Sequence, residues 1–290
     1  MTVALWRVWV GQRSWLARGD TEHGPVELLD PALTVSALLT DNAFPLQRLA
    51  TLPTAGRLPD DAAVLAPVDR QPVWAAGVTF PRSRQARREE AIDGGDAYDR
   101  VFDAARAELF FKAAAEAVVR PGEPVGIRAD STWDVPEPEL GIVADHRGRP
   151  QAFVLGNDMS SRSVEGENPL YLHQAKIYDR SCALGPCLVP VSAAPDLARV
   201  RIGLSISRDG VRLYDDTMNL SAMRRDPQQL LAWLFLASSF PQGVVVLTGT
   251  SLVPPSDITL RPDDQITIRA AGFGVLHNPV SRVGSPAPGA

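Results

Sequence analysis

The stretch Val135-Pro136-Glu137-Pro138-Glu139-Leu140-Gly141 sets two carboxylates two residues apart. On an extended strand, residues i and i+2 share a face, so both acids point the same way. Like charges that close repel each other. Either a divalent cation holds them together, or one of the pair raises its pKa and takes up a proton.

A third carboxylate follows from strand register. Asp145-His146-Arg147-Gly148-Arg149-Pro150 has the composition of a hairpin turn. If the turn is centred between Arg147 and Gly148, paired residue numbers sum to about 295 and Glu137 falls opposite Asp158. Three carboxylates then meet at the open end of one hairpin. Oxygen ligands without a nearby cysteine or suitable histidine favour Mg²⁺ or Mn²⁺ over zinc, with waters or substrate oxygens completing an octahedron. The spacing alone also fits two solvated strand residues and an ordinary turn aspartate in Gly156-Asn157-Asp158.

The elements that must position these acids are mostly strands. Residues 1 to 70 alternate short β-like runs (Leu5 to Val10, Val26 to Leu29) with polar breaks and one helix around Val35 to Thr40. They form a small N-terminal α/β domain. The Pro- and Asp-rich stretch from Leu58 to Asp69 leads into a catalytic domain over 71–290. There, short Val, Ile, Leu and Thr runs recur at Glu139 to Ala144, Gln151 to Leu155, Arg201 to Ser207, Gly243 to Leu247 and Gln265 to Arg269. One amphipathic helix, Pro227 to Ser238, interrupts them. The fold class expected is α+β, mostly β, with a β-roll or barrel-like catalytic domain around one pocket. The charged segment Pro81 to Ala107, with Gly94-Gly95 as a hinge, suits a lid of two short helices, although its charges equally suit a solvated face.

Composition narrows the partners. The chain has 290 residues, 45% of them hydrophobic and 22% charged, enough to bury a sizeable core and too apolar for wholesale disorder. A net charge of −5 and a pI near 5.4 argue against a nucleic-acid surface and toward a small-molecule partner. No apolar run reaches membrane-spanning length, and the N-terminus lacks the basic-then-apolar order of a signal peptide, so a cytoplasmic chain with no membrane partner is expected. Two cysteines, Cys182 and Cys187, supply neither a disulfide framework nor a four-thiolate site; they are expected reduced and buried, with Ala183-Leu184-Gly185-Pro186 a tight turn between them.

The run from Glu137-Pro138-Glu139-Leu140-Gly141 through Gly156-Asn157-Asp158-Met159-Ser160-Ser161-Arg162 to Lys176 and Ala183-Leu184-Gly185-Pro186 resembles the core signature of the fumarylacetoacetate hydrolase superfamily. Ala76-Gly77-Val78-Thr79-Phe80 and Glu108-Leu109-Phe110-Phe111-Lys112 precede it in the expected order. Leu247-Thr248-Gly249-Thr250 and Gly272 to Asn278 follow it, so about residues 72 to 282 are covered. The segment Ser163 to Lys176 is similar to the branch containing 2-keto-3-deoxy-D-arabinonate dehydratase and its sugar-acid relatives. The resemblance implies that Glu137, Glu139 and Asp158 bind Mg²⁺, that Lys176 lines the same pocket, that Phe80 and Thr250 lie near the substrate, and that the chain forms a homodimer or higher homo-oligomer.

One departure separates this chain from hydrolytic members, which activate water with a His–Glu pair in the lid. Its only histidines are His23, His146, His173 and His277, none between residues 80 and 110; Glu89 or Glu90 offers at most the acidic half. The resemblance therefore implies dehydration of a 2-keto-3-deoxypentonate to 2-oxoglutarate semialdehyde. Lys176 and Glu108 share the roles of base and acid in either order, and Arg82 and Ser83 contact the substrate carboxylate or hydroxyls. The alternatives are a C–C bond hydrolase or decarboxylase of a 2-oxo acid, and a ligand-binding relative without turnover.

Overall fold

The computed structural model of the chain describes residues 1–43, 45–82 and 95–286. Among them an eleven-stranded sheet and a five-stranded sheet dominate, with a two-stranded ribbon between residues 134–135 and 160–161. Mostly-β architecture is as expected, but neither sheet closes into a barrel. The large one runs from an edge at Thr54–Arg57 to the opposite edge at Glu108–Ala113.

Alternation explains the layering. In Pro138–Ala144, Leu140, Ile142 and Ala144 join one apolar cluster while Val143 joins the other. In Pro150–Asp158, Phe153 and Leu155 face the first cluster, Ala152 and Val154 the second. A strand buried on both faces needs two covering layers. Ile202, Leu204, Ile266 and Ile268 of the five-stranded sheet supply one. Leu29, Val35, Leu38, Leu39, Leu46 and Leu49 of the N-terminal segment supply the other.

The N-terminal strands also extend the large sheet, because Val3–Val10 pairs antiparallel with Cys182–Pro190 at Leu5 and Leu188. The helix expected near Val35 is Val35–Thr40, started by Thr34, whose side chain accepts the Ala37 N–H at 3.0 Å. Pro227–Phe235 is the later helix, three residues shorter than its apolar pattern predicted. No helix among the described residues is long and apolar enough to cross a membrane.

The hairpin register is as derived: Glu139 pairs with Gly156 and Pro138 with Asn157, and the Asp158 N–H donates to the Glu137 carbonyl at 2.9 Å. The expected tight turn at Ala183-Leu184-Gly185-Pro186 is instead the middle of the strand Cys182–Pro190, irregular where it passes a cis Gly185–Pro186 bond. Gly-Pro reads locally as a turn, but neighbours on both sides hold the chain extended. Of the segment expected to form a lid, Pro81, Arg82 and the helix Gly95–Asp103 are described; Ser83, Glu89, Glu90 and Gly94 lie outside the described residues.

Candidate active site

Glu137, Glu139 and Asp158 converge at the open end of the hairpin. Each is at most 5% exposed, and one oxygen from each lies within 4.8 Å of the others. Glu139 and Asp158 continue the rows of Val143 and of Ala152 and Val154, so the acids sit where one apolar layer ends. They line a small cavity with Gly77, Val78, Glu108, Phe110, Arg162, Glu165, Leu172, Lys176, Gly249, Thr250 and Val253.

The cations around the acids are as buried as the acids. Lys176 Nζ, at the end of the short helix Leu172–Lys176, donates to Glu137 Oε2 at 2.5 Å, Asp158 Oδ2 at 3.1 Å and Ser160 Oγ at 2.6 Å. Arg162 grips the other Glu137 oxygen, with Nη2 3.0 Å from Oε1. Arg162 starts a helix whose cap is Ser161. Lys112 Nζ lies 2.5 Å from Asp158 Oδ1.

Among the described residues, Glu139 has no cation so close. Its Oε2 accepts the Gly249 N–H at 2.6 Å, while burial and the charges of Asp158 and Glu137 push its pKa well above the ordinary carboxylate range. Three buried oxygen donors whose mutual repulsion raises the Glu139 pKa fit a hard divalent cation. Glycine is required at 249: φ is +91°, and a Cβ there would stand 2.0 Å from Thr79 Oγ1. Strain also marks the wall, where the β-branched Val78 is held at φ +52°, at a cost of roughly 1–3 kcal/mol. Thr79 next to it is fixed by donating Oγ1–H to the Thr248 carbonyl at 2.7 Å.

Of the remaining expected residues, Glu108 and Thr250 line the cavity and Phe80 and Arg82 do not. Phe80 is wholly buried in the apolar cluster beneath, where an aromatic ring gains most from leaving water, and Arg82 is exposed. None of the four histidines lines the cavity. Cys182 pairs with Asp158 across the sheet, and burial pushes its thiol up to about 12, which leaves it inert at neutral pH.

The sequence motifs assign no role to Lys112, to Arg162 or to Glu165, which lies within Ser163 to Lys176. A signal for Lys112 was present: on the strand Glu108–Ala113 it shares a face with Glu108 and Phe110, both of which line the cavity.

Residues 83–281 match the family model for the fumarylacetoacetate hydrolase C-terminal domain. The chain is 45% identical over 258 residues to a protein of Haloferax volcanii named "Probable 2-keto-3-deoxyxylonate dehydratase", a match covering 89% of this chain and 83% of that one. It is 35% identical over 226 residues to the 2-dehydro-3-deoxy-D-arabinonate dehydratase of Saccharolobus solfataricus, covering 77% and 76%. Among solved structures, a 2-keto-3-deoxy-D-arabinonate dehydratase complexed with magnesium and 2,5-dioxopentanoate superposes with a TM-score of 0.82 at 29% identity, over 96% of this chain and 99% of that one. The acid-lined hairpin, the sheet order that builds it and a family match across more than half the sequence agree: the chain belongs to the fumarylacetoacetate hydrolase family.

Proposed function

We propose that the protein is a Mg²⁺-dependent hydro-lyase that dehydrates a 2-keto-3-deoxy sugar acid of five carbons to 2-oxoglutarate semialdehyde, which is 2,5-dioxopentanoate. One observation carries the reading. Three carboxylates and Lys176 share one buried cavity in a chain that aligns along most of its length with two sugar-acid dehydratases.

Glu137, Glu139 and Asp158 would hold the cation. Bound there, it supplies Lewis-acid chemistry, drawing charge from the 2-oxo acid and making a C3 hydrogen acidic. The protein's own groups do the rest. Lys176 Nζ and the Glu108 carboxylate both line the cavity, so one takes the C3 proton while the other gives a proton to the departing C4 hydroxyl. The C3–C4 alkene then tautomerises, C5 giving up a proton and C3 regaining one, to the enol of the semialdehyde, which ketonises. Arg162 and the Gly249 N–H hold Glu137 and Glu139 in place. Phe110, Leu172 and Val253 give the cavity apolar walls that limit water. Thr250 Oγ1 is turned to Met218 Sδ at 3.5 Å and accepts the Leu252 N–H, and we assign it to substrate contact.

The test is the carbon count of the product. The 2-keto-3-deoxypentonate, supplied in each of its two C4 configurations and incubated with protein and Mg²⁺, should give a five-carbon semialdehyde from at least one, with EDTA abolishing turnover. Pyruvate plus a two-carbon fragment would instead establish cleavage and refute dehydration.

A further inference from the structure

Lys112 and Lys176 are the only two lysines in the chain, every other cationic side chain of this type being arginine. Both are buried, at 0% and 1% exposure, and both reach Asp158. Arginine thus serves everywhere that a cation meets water, and lysine stands at the two places where a compact ammonium is packed among oxygens.

They approach from opposite sides. Lys176 lines the cavity, whereas Lys112 does not and comes from behind it. Lys112 Nζ donates to the carbonyls of Met159 at 2.9 Å and Lys176 at 2.5 Å, and its charge lies 2.5 Å from Asp158 Oδ1 as a close ion pair rather than an aligned hydrogen bond. The ring of Tyr178, 6.0 Å from Nζ, also borders it. One ammonium therefore touches Asp158, the residue after it, and the backbone of Lys176.

We propose that Lys112 is a positioning residue: by holding Asp158 through Oδ1 and Lys176 through its carbonyl, it turns Oδ2 alone toward the cavity and sets the Lys176 amine above it. Asp158 then offers a cation one oxygen. The distance between that oxygen and the proton-transfer amine is fixed by a group that touches neither substrate nor cation. Arginine cannot replace it, because a planar five-donor fork does not fit a site shaped for a tetrahedral ammonium. This inference rests on the metal-site reading above.

The chain's composition supplies a clean test. Full-length protein labelled with ¹³Cε,¹⁵Nζ-lysine yields two lysine side-chain signals. In the wild type, Mg²⁺ should move the Lys176 signal strongly and that of Lys112 little, since only Lys176 contacts the oxygens that face the cavity. Equal movement of both would overturn the proposal. Lys112→Gln should weaken Mn²⁺ binding by calorimetry roughly 10–100-fold and shift the Lys176 signal before any cation is added; Lys112→Arg should restore neither. A Lys112→Gln protein that melts earlier but keeps wild-type Mn²⁺ affinity and an unmoved Lys176 signal would reduce Lys112 to a stabilising ion pair and overturn the proposal. Should that variant fail to fold, the wild-type titration decides. Wild-type protein that binds neither cation defeats the metal reading instead, and the Lys176 signal in Lys112→Gln still decides the positioning role.

Discussion

Gly77 lies opposite Glu108 across the paired strands Val73–Gly77 and Glu108–Ala113, and a Cβ on it would stand 2.1 Å from Glu108 Oε2. The carboxylate reaches the cavity by lying over a residue that has no side chain. Gly77→Ala should therefore push the Glu108 carboxyl aside while the flexible side chain absorbs most of the clash. We expect kcat to fall about 100-fold, as for a catalytic group displaced by about 1 Å, with stability changed by only about 1 kcal/mol. Steady-state kinetics beside a thermal melt checks this; unchanged kcat would remove Glu108 from the chemistry.

Glu139 is the acid whose charge is least compensated. Glu139→Gln keeps the volume and the acceptor for the Gly249 N–H while removing the repulsion from Glu137 and Asp158. The metal-free variant should melt at or above the wild-type temperature near pH 7. Millimolar Mg²⁺ should raise the wild-type Tm and leave that of the variant unchanged, because a ligand stabilises only the state that binds it. Equal Mg²⁺ shifts in both proteins would remove Glu139 from the cation site.

Lys176→Met separates binding from turnover. Losing the ammonium leaves Glu137 to Arg162 and Asp158 to Lys112, with nothing between the two acids, so the metal-free variant should be less stable by about 3 kcal/mol. Mg²⁺ should still bind and recover part of that loss. Turnover at saturating Mg²⁺ should drop about 10²–10⁴-fold, the usual contribution of a placed proton-transfer group. Near-normal turnover would rule Lys176 out as acid or base.

Asp134 gives the pH dependence. Burial pushes its carboxyl from the ordinary 3.8 up to about 6, against weaker opposing contacts from Ser131 and Arg128. A raised acid contributes stability below its unfolded pKa and loses it as pH climbs through the folded one. Relative to Asp134→Asn, the wild type should be favoured most near pH 4, and the advantage should vanish between pH 4 and about pH 6. Melts of both proteins across that range would show the difference; a constant gap would mean that Asp134 does not titrate there.

The acids were legible because they depend on local rules. Alternation put Glu137 and Glu139 on one face, and a short turn at Arg147 and Gly148 fixed the partner of Glu137, with the only slip a bulge at Ala144. What escaped depends on long-range packing. Gly185-Pro186 carries turn chemistry, yet the neighbouring strands keep it extended. Phe80 sits in a motif near the site, but its side chain turns into the core. Beyond the face it shares with Glu108 and Phe110, Lys112 carries no local mark of its role, because its tie to Asp158 spans the fold. Of the β-roll or barrel-like arrangement expected, the mostly-β class holds, and the open edges of the large sheet follow from strand order, which periodicity does not encode.

The pairing of Leu5 with Leu188 also has a temporal side. Translation proceeds at about 5–20 residues per second, so the partner strand of Val3–Val10 emerges about 10–40 s after it. Throughout that interval the edge of the N-terminal hairpin around Leu5 stays unpaired, although Ala63 and Val64 meet Trp9 and Val8 on the same edge much earlier. Expression yield should therefore respond to how quickly residues 11 to 190 are synthesised, and slowing the ribosome there would favour chains that meet one another before they meet their own later strands.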